Sequence, residues 1–276
     1  MSTSSTSSCA TSARSGRSTA RRSPPTSATG CSRSSERFVP TRVLVVEHQA
    51  SCPPHLVGRW LEEAGCTLSV CRPYAGDAFP ALTSYDAVLV MGGDMGAYDD
   101  ERAPWLRALK ALLRDAVASS VPTLGICLGH QVLAVALGGE VIKNPRGQTV
   151  GLQPVGWSAD ALGDALFGAR TGDEVAIHWN NDVVVALPSG GVVLARTPGG
   201  EVQVARFAPL AWGIQSHPEV DTDVVTGWAA EDRDDLVALG LDEHVVLAEI
   251  KDAEAALEAQ WRPLVQRFAA IAGEER

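Results

Sequence analysis

The stretch VPTLGICLGHQVLAVALGG, residues 121–139, decides the fold. Val121 to Ile126 is a short apolar run read as a buried strand, and Leu128 to Gly138 reads as a helix. Between them stands Gly125-Ile-Cys127-Leu-Gly129. Small residues two before and two after a nucleophile are what a sharp strand–turn–helix elbow requires, because larger side chains collide at the bend. Such an elbow holds a sulfur clear of the backbone at a helix N-terminus, where unpaired N–H groups and the helix dipole favour a thiolate. It also aims the Leu128 N–H at any oxyanion formed by attack of that sulfur. A buried cysteine is ordinarily a small hydrophobe. Here the glycines, the strand and the helix agree on a nucleophile.

Working outward, Thr41 to Glu47 is a β-branched strand, and Pro53-Pro54 open an amphipathic helix, HLVGRWLEEAG, whose Leu56, Trp60 and Leu61 share a face before Gly65 ends it. Thr67 to Val70 is a second strand, and Tyr85 to Met91 a third that runs into Gly92-Gly93. Ala103 to Ser120 has helical period, with Asp99-Asp100-Glu101-Arg102 read as its acidic start. Alternating strand and helix means α/β: a mostly parallel sheet with helices on both faces. After Glu140 come VGLQPVGW, EVAIHW, GVVLART, VQVARFA and LAWGIQS, short strands without intervening helices. They predict antiparallel pairs added to the parallel sheet. From Asp223 the chain is helical again. Val246, Ile250, Ala253, Leu257, Trp261, Leu264, Phe268 and Ile271 form an apolar stripe on the last helix, expected to pack on the domain's own core, with Pro263 as a point for a kink.

Composition narrows the function classes. With 276 residues, 45% hydrophobic and 20% charged, the chain is an ordinary globular length and needs no disulfides. No run of 18 apolar residues is present, which excludes a membrane-spanning helix of that kind. The six cysteines (9, 31, 52, 66, 71, 127) show no zinc-like spacing, and reduced thiols in a cytoplasmic setting are the default. A formal net charge of −10 argues against a nucleic-acid surface. Residues 1–40 are set apart as a Ser/Thr/Arg-rich extension, of which 1–37 are expected to be disordered. Its acid-poor composition resembles an organellar transit peptide, but 20 Arg against 3 Lys in the whole chain favours a start read too far upstream. Residues 41–225 are read as the chemical domain and 226–276 as helices packed on it.

A cysteine nucleophile needs a base. Of six histidines, His217 stands in Gly213-Ile-Gln-Ser-His217-Pro-Glu219, at the end of an apolar strand, where α/β folds collect catalytic groups. Glu219 lies two residues on and faces the same way, with Pro218 fixing the backbone between them. Nucleophile, base and orienter are then Cys127, His217 and Glu219. His48 and His55 fall in the loop after the first strand, within reach of the cleft.

GICLGHQ (125–131) together with SHPE (216–219) resembles the class I, triad-type glutamine amidotransferases, over about Val43 to Val225. MGGDMGAYDD (91–100), with Asp94 where many members have proline, is similar to a stand-alone, GMP synthase-like subgroup. The resemblance implies a flavodoxin-like fold, attack of Cys127 on the glutamine side-chain amide, protonation of ammonia by His217, and hydrolysis of a γ-glutamyl thioester. It implies an oxyanion hole from the N–H groups of Gly93 and Leu128. It further implies that Gln131 helps hold glutamine, with Asn181 and Asp182 in a substrate-contacting loop, His178 to Asp182. His130 is implied to be structural. No metal or organic cofactor is called for. A GMP synthase would also need an ATP pyrophosphatase domain, which these residues do not include, so a partner or synthetase subunit is expected to use the ammonia. Two alternatives stay open: a γ-glutamyl hydrolase or peptidase with the same triad, and a non-catalytic binding or redox-sensing protein.

Overall fold

Side chains of the first strand, β1 (Thr41–Val46), alternate between two cores. Val43 and Val45 face one, Leu44 and Val46 the other, and all four are fully buried. The strand therefore lies in the middle layer of three. The computed structural model describes residues 40–168, 170, 172 and 174–274. The expected extension, apart from Pro40, lies outside the described residues.

The chain continues through α1 (His55–Glu63), β2 (Cys66–Cys71), β3 (Ala87–Val90), α2 (Trp105–Ala118), β4 (Thr123–Ile126) and α3 (Leu128–Ala136). Then come β5 (Glu140–Lys143), β6 (Thr149–Pro154), β7 (Gly156–Trp157), β8 (Val175–Asn180), β9 (Asp182–Ala186), β10 (Val192–Arg196), β11 (Val202–Ala208) and β12 (Ala211–Ile214). Three helices close the chain: α4 (Thr222–Glu231), α5 (Arg233–Ala238) and α6 (Glu243–Glu274). The main sheet has eight strands in the order β2-β1-β3-β4-β12-β11-β10-β7. From β2 to β12 neighbours run parallel; β11, β10 and β7 add an antiparallel extension. Helices α2 and α3 cover one face, through Leu106, Leu109, Leu113, Val132 and Leu133. Helices α1, α4 and α6 cover the other, through Trp60, Trp228, Ile250, Trp261 and Phe268. The α6 stripe thus packs on the chain's own core, and the helix runs unbroken through Pro263. Among the described residues no helix is long and apolar enough to cross a membrane.

Two expectations need correction. The strands after Glu140 do not all join the main sheet: β6 pairs with β8, and β5 with β9, as separate two-stranded ribbons. Gly151 lies inside β6 at φ +82°, yet β6 pairs with β8 in continuous register from Thr149 to Pro154. The acidic start of α2 is also displaced. Asp99 and Asp100 precede the helix in a turn, where Asp99 accepts from the Gly96 N–H at 2.8 Å and Asp100 pairs with Lys110 at 2.9 Å.

Parallel sheets of this order bring the carboxyl ends of successive strands to one edge, and the chain reverses direction across the sheet between β1 and β3. Glu47 to Gln49, Cys127 and Gln215 to His217 follow directly on β1, β4 and β12, and Gly92-Gly93 follow β3 after Met91.

Candidate active site

Cys127 sits between β4 and α3 with φ +51° and ψ −108°, a conformation that a non-glycine residue adopts only when its surroundings impose it. The surroundings are backbone. A Cβ on Gly125 would lie 2.4 Å from the Gly129 carbonyl carbon, and one on Gly129 would lie 2.2 Å from the Val90 carbonyl oxygen. Both glycines are therefore needed to let α3 approach β3 and β4. The Cys127 N–H is held by the Ile214 carbonyl at 2.8 Å, and its own carbonyl accepts from Gln131 N at 3.1 Å. Cys127 is 6% exposed and lines a cleft of about 180 Å³.

His217 lines the same cleft. Its backbone N–H is anchored on the Ile177 carbonyl of β8 at 2.8 Å, and its Nδ1 meets Glu219 Oε1 at 2.8 Å. Glu219 is fully buried, and its backbone carbonyl accepts from Leu56 N at the start of α1. With Nδ1 on the carboxylate, Nε2 is buried without a protein hydrogen bond that meets ordinary geometry, on the ring side beside Cys127. Burial alone would lower the proton affinity of His217; Glu219 and Cys127 together overcome it and raise the pKa well above 6.5. The Trp228 indole stands edge-on to the imidazole, ring centres 4.7 Å apart, and is fixed by donation to the Ser51 carbonyl at 3.0 Å.

Gly93 and Leu128 lie side by side: a Cβ on Gly93 would come within 3.0 Å of both Leu128 Cδ2 and His48 Cβ. Gly92 is equally confined, its Cβ position falling 3.3 Å from His217 Cε1 and 3.6 Å from Cys127 Cβ. Gln131, Asn181 and Asp182 all line the cleft. The segment expected as a loop is instead the end of β8, the single residue Asn181, and the start of β9. Asp182 pairs with Lys143 at 2.9 Å across the β5–β9 ribbon. Gln131 is buried and donates from Nε2 to the Asp182 carbonyl and to Gln215 Oε1, each at 3.1 Å.

Gln215 was not singled out from the sequence. It is 1% exposed, and its Nε2 donates to the Cys127 sulfur at 3.7 Å. Its place two residues before His217, directly after β12, is the signal that could have found it. Trp179, Trp228, Asp232 and Cys52 also line the cleft without local signature. The Cys52 thiol is pushed far up by burial, reinforced by Cys127 and Glu219, and stays protonated. His48 does not line the cleft; it is buried beneath Gly93, accepts from Trp105 Nε1 at 3.1 Å, and is lowered to about 4 by burial. His55 pairs with Asp221 at 2.7 Å, joining α1 to the start of α4. His130 packs on Phe207 and is lowered to about 3 by burial, a neutral core residue.

The family model for glutamine amidotransferase class-I matches residues 52–225. A glutamine amidotransferase-like protein of Salmonella typhimurium is 31% identical over 67% of this chain and 79% of its own length. A gamma-glutamyl-L-1-hydroxyisopropylamide hydrolase of a Pseudomonas species is 30% identical over 55% of this chain and 54% of its own. A glutamine-hydrolysing GMP synthase of Pyrobaculum aerophilum is 30% identical over 60% of this chain, which spans 30% of that enzyme. Among solved structures, a glutamine amidotransferase of Thermotoga maritima superposes with a TM-score of 0.75 at 25% identity, covering 84% of this chain and 99% of that one. The cysteine elbow, the His–Glu pair and these likenesses together place the chain in the class I glutamine amidotransferase family.

Proposed function

We propose that the chain hydrolyses the side-chain amide of glutamine through a thioester on Cys127. The observation that carries this reading is the strained elbow that brings Cys127 to the same cleft as a His217 oriented by Glu219 at 2.8 Å. Cys127 passes its proton to His217, and Sγ attacks the amide carbon. The oxygen, now negative, is taken by the N–H groups of Gly93 and Leu128. The C–N bond breaks as His217 returns its proton to nitrogen, releasing ammonia. Water then adds to the thioester with His217 as base, giving glutamate and the free thiol. Gln131, Asn181 and Asp182 form the wall that faces the glutamyl group, and Gln215 steadies the sulfur. In this reading residues 41–225 carry the chemistry, and 226–276 cover the sheet while contributing Trp228. Productive use of the ammonia calls for an acceptor or synthetase subunit.

A second reading, hydrolysis of a γ-glutamyl amide of a larger amine, is favoured by the Pseudomonas relative and by Trp179, Trp228, Glu231 and Asp232, which share the cleft with His217. One experiment tests both. Ammonia and glutamate release are measured on glutamine and on γ-glutamyl amides, for wild type and Cys127→Ala. Turnover lost in the variant supports the mechanism, and turnover kept refutes it.

A further inference from the structure

We propose that the wall of the cleft beyond His217 is a leaving-group subsite that selects γ-glutamyl amides of amines carrying a second positive charge. This deepens the hydrolytic reading above and rests on it. The direction follows from the chemistry. The nitrogen that leaves must receive its proton from His217 Nε2, so the rest of the leaving amine lies on the His217 side of the sulfur. That atom is buried, unpartnered within ordinary hydrogen-bond geometry, and belongs to a residue that lines the cleft.

What stands on that side is specific. Trp228 packs edge-on to His217, Trp179 lies 6.1 Å from Trp228 between ring centres, and Glu231 and Asp232 complete the wall. Both indole N–H groups are already used, Trp228 on the Ser51 carbonyl and Trp179 on Asp232 Oδ2 at 2.7 Å. The wall therefore offers ring surface and carboxylate oxygens and no indole donor. Among the described residues neither Glu231 nor Asp232 forms an ion pair with a basic side chain. Among the described residues Lys143 is the one lysine that lines the cleft, and it is paired with Asp182 at 2.9 Å. Asp94, which also lines the cleft, is paired with Arg102. Indole faces and carboxylates without a basic partner attract a cation and repel an anion.

The reaction is the one already balanced: Sγ–C forms, C–N breaks, the amine departs with the proton from His217, and water regenerates the thiol. Only the amine differs.

The test uses γ-glutamyl amides of 1,4-diaminobutane, butylamine and 4-aminobutanoate, whose far ends carry a positive, zero and negative charge at similar length. The full chain is assayed for glutamate release, with glutamine alongside. The expected order of kcat/KM is cation, neutral, anion, with the cation ahead of the neutral amide by about twofold to fivefold, the upper range of a partly screened charge pair. That ratio is expected to fall toward one in Glu231→Gln, and in a second variant, Asp232→Asn, and to shrink when salt is raised to about 0.5 M. Cleavage of glutamine and the neutral amide with no charge ranking overturns the subsite and leaves the hydrolytic reading standing. A ranking unmoved by either substitution overturns the assignment to these residues. Cleavage of none of the substrates, glutamine included, defeats the parent reading and the subsite with it.

Discussion

Replacing Gly129 by alanine tests whether the elbow is held open by the absence of a side chain. Its Cβ would lie 2.2 Å from the Val90 oxygen, 2.8 Å from the Val90 carbonyl carbon and 3.0 Å from Val90 Cβ. Ordinary contact needs a retreat of roughly 1 Å by α3 from β3. The obstruction is backbone inside a sheet, which cannot rotate aside, so the cost falls at the upper end of overpacking, about 3 kcal/mol. Alanine returns up to about 1 kcal/mol of helix propensity. The net loss is about 2 kcal/mol, which for a body of this size is about 4–8 °C in Tm. Gly227 in α4 is the matched control: nothing lies within 4 Å of its Cβ position, and Gly227→Ala is expected to gain about 0.5–1 kcal/mol. Both are read by calorimetry, with alkylation of Cys127 followed in parallel. A retreat of α3 also moves the sulfur from the His217 side, so Gly129→Ala is expected to react more slowly. A Gly129→Ala protein that melts within about a degree of wild type would refute the steric account.

Glu219→Gln keeps the shape of the pair and removes the charge that orients and stabilises the His217 imidazolium; kcat is expected to fall on the order of a hundred- to ten-thousandfold, measured as glutamate release. Gln215→Leu removes the donor on the Cys127 sulfur, and alkylation at neutral pH is expected to slow about twofold to tenfold, as for loss of one ordinary hydrogen bond; an unchanged rate would remove Gln215 from the site. Acid is expected to destabilise the fold steeply. Burial lowers His48, His130 and His178 to about 4, 3 and 4 from 6.5. Between those values and 6.5 the unfolded chain binds more protons, so each group gives a slope of about 1.4 kcal/mol per pH unit, with stability rising with pH. His217, raised in the fold, contributes stability that is complete below 6.5 and is lost only as pH rises through its folded value, so it does not offset the acid loss. The urea midpoint, followed from pH 7 to pH 4.5, checks this; a flat profile would contradict it.

The sequence predicts the parallel half well because each strand and helix there is contiguous and its period is strong: β1, β3, β4 and their helices follow the apolar runs within two residues. The elbow was legible for the same reason, since Gly125, Cys127 and Gly129 act on one another locally. The two ribbons were not. Strand β5 is four residues with three exposed side chains, and its partner β9 lies about forty residues on, so pairing, not pattern, creates both. Asp99 and Asp100 read as a helix start because acids before an apolar period are common there; contacts to Gly96 and Lys110 hold them in a turn. Trp179 and Trp228 reach the cleft from β8 and α4, and only the tertiary fold brings them beside His217. The Gln131–Gln215 contact likewise joins a helix to a strand end 84 residues away.

The most direct measurement is to label the intact protein with a glutamine-analogue alkylator and locate the adduct by peptide mass spectrometry. The account predicts one adduct, on Cys127, competed by glutamine and absent from Cys127→Ala, with the buried thiols of Cys52, Cys66 and Cys71 unlabelled. An adduct on Cys52, or reaction undiminished in Cys127→Ala, would contradict the assignment of Cys127 as the nucleophile.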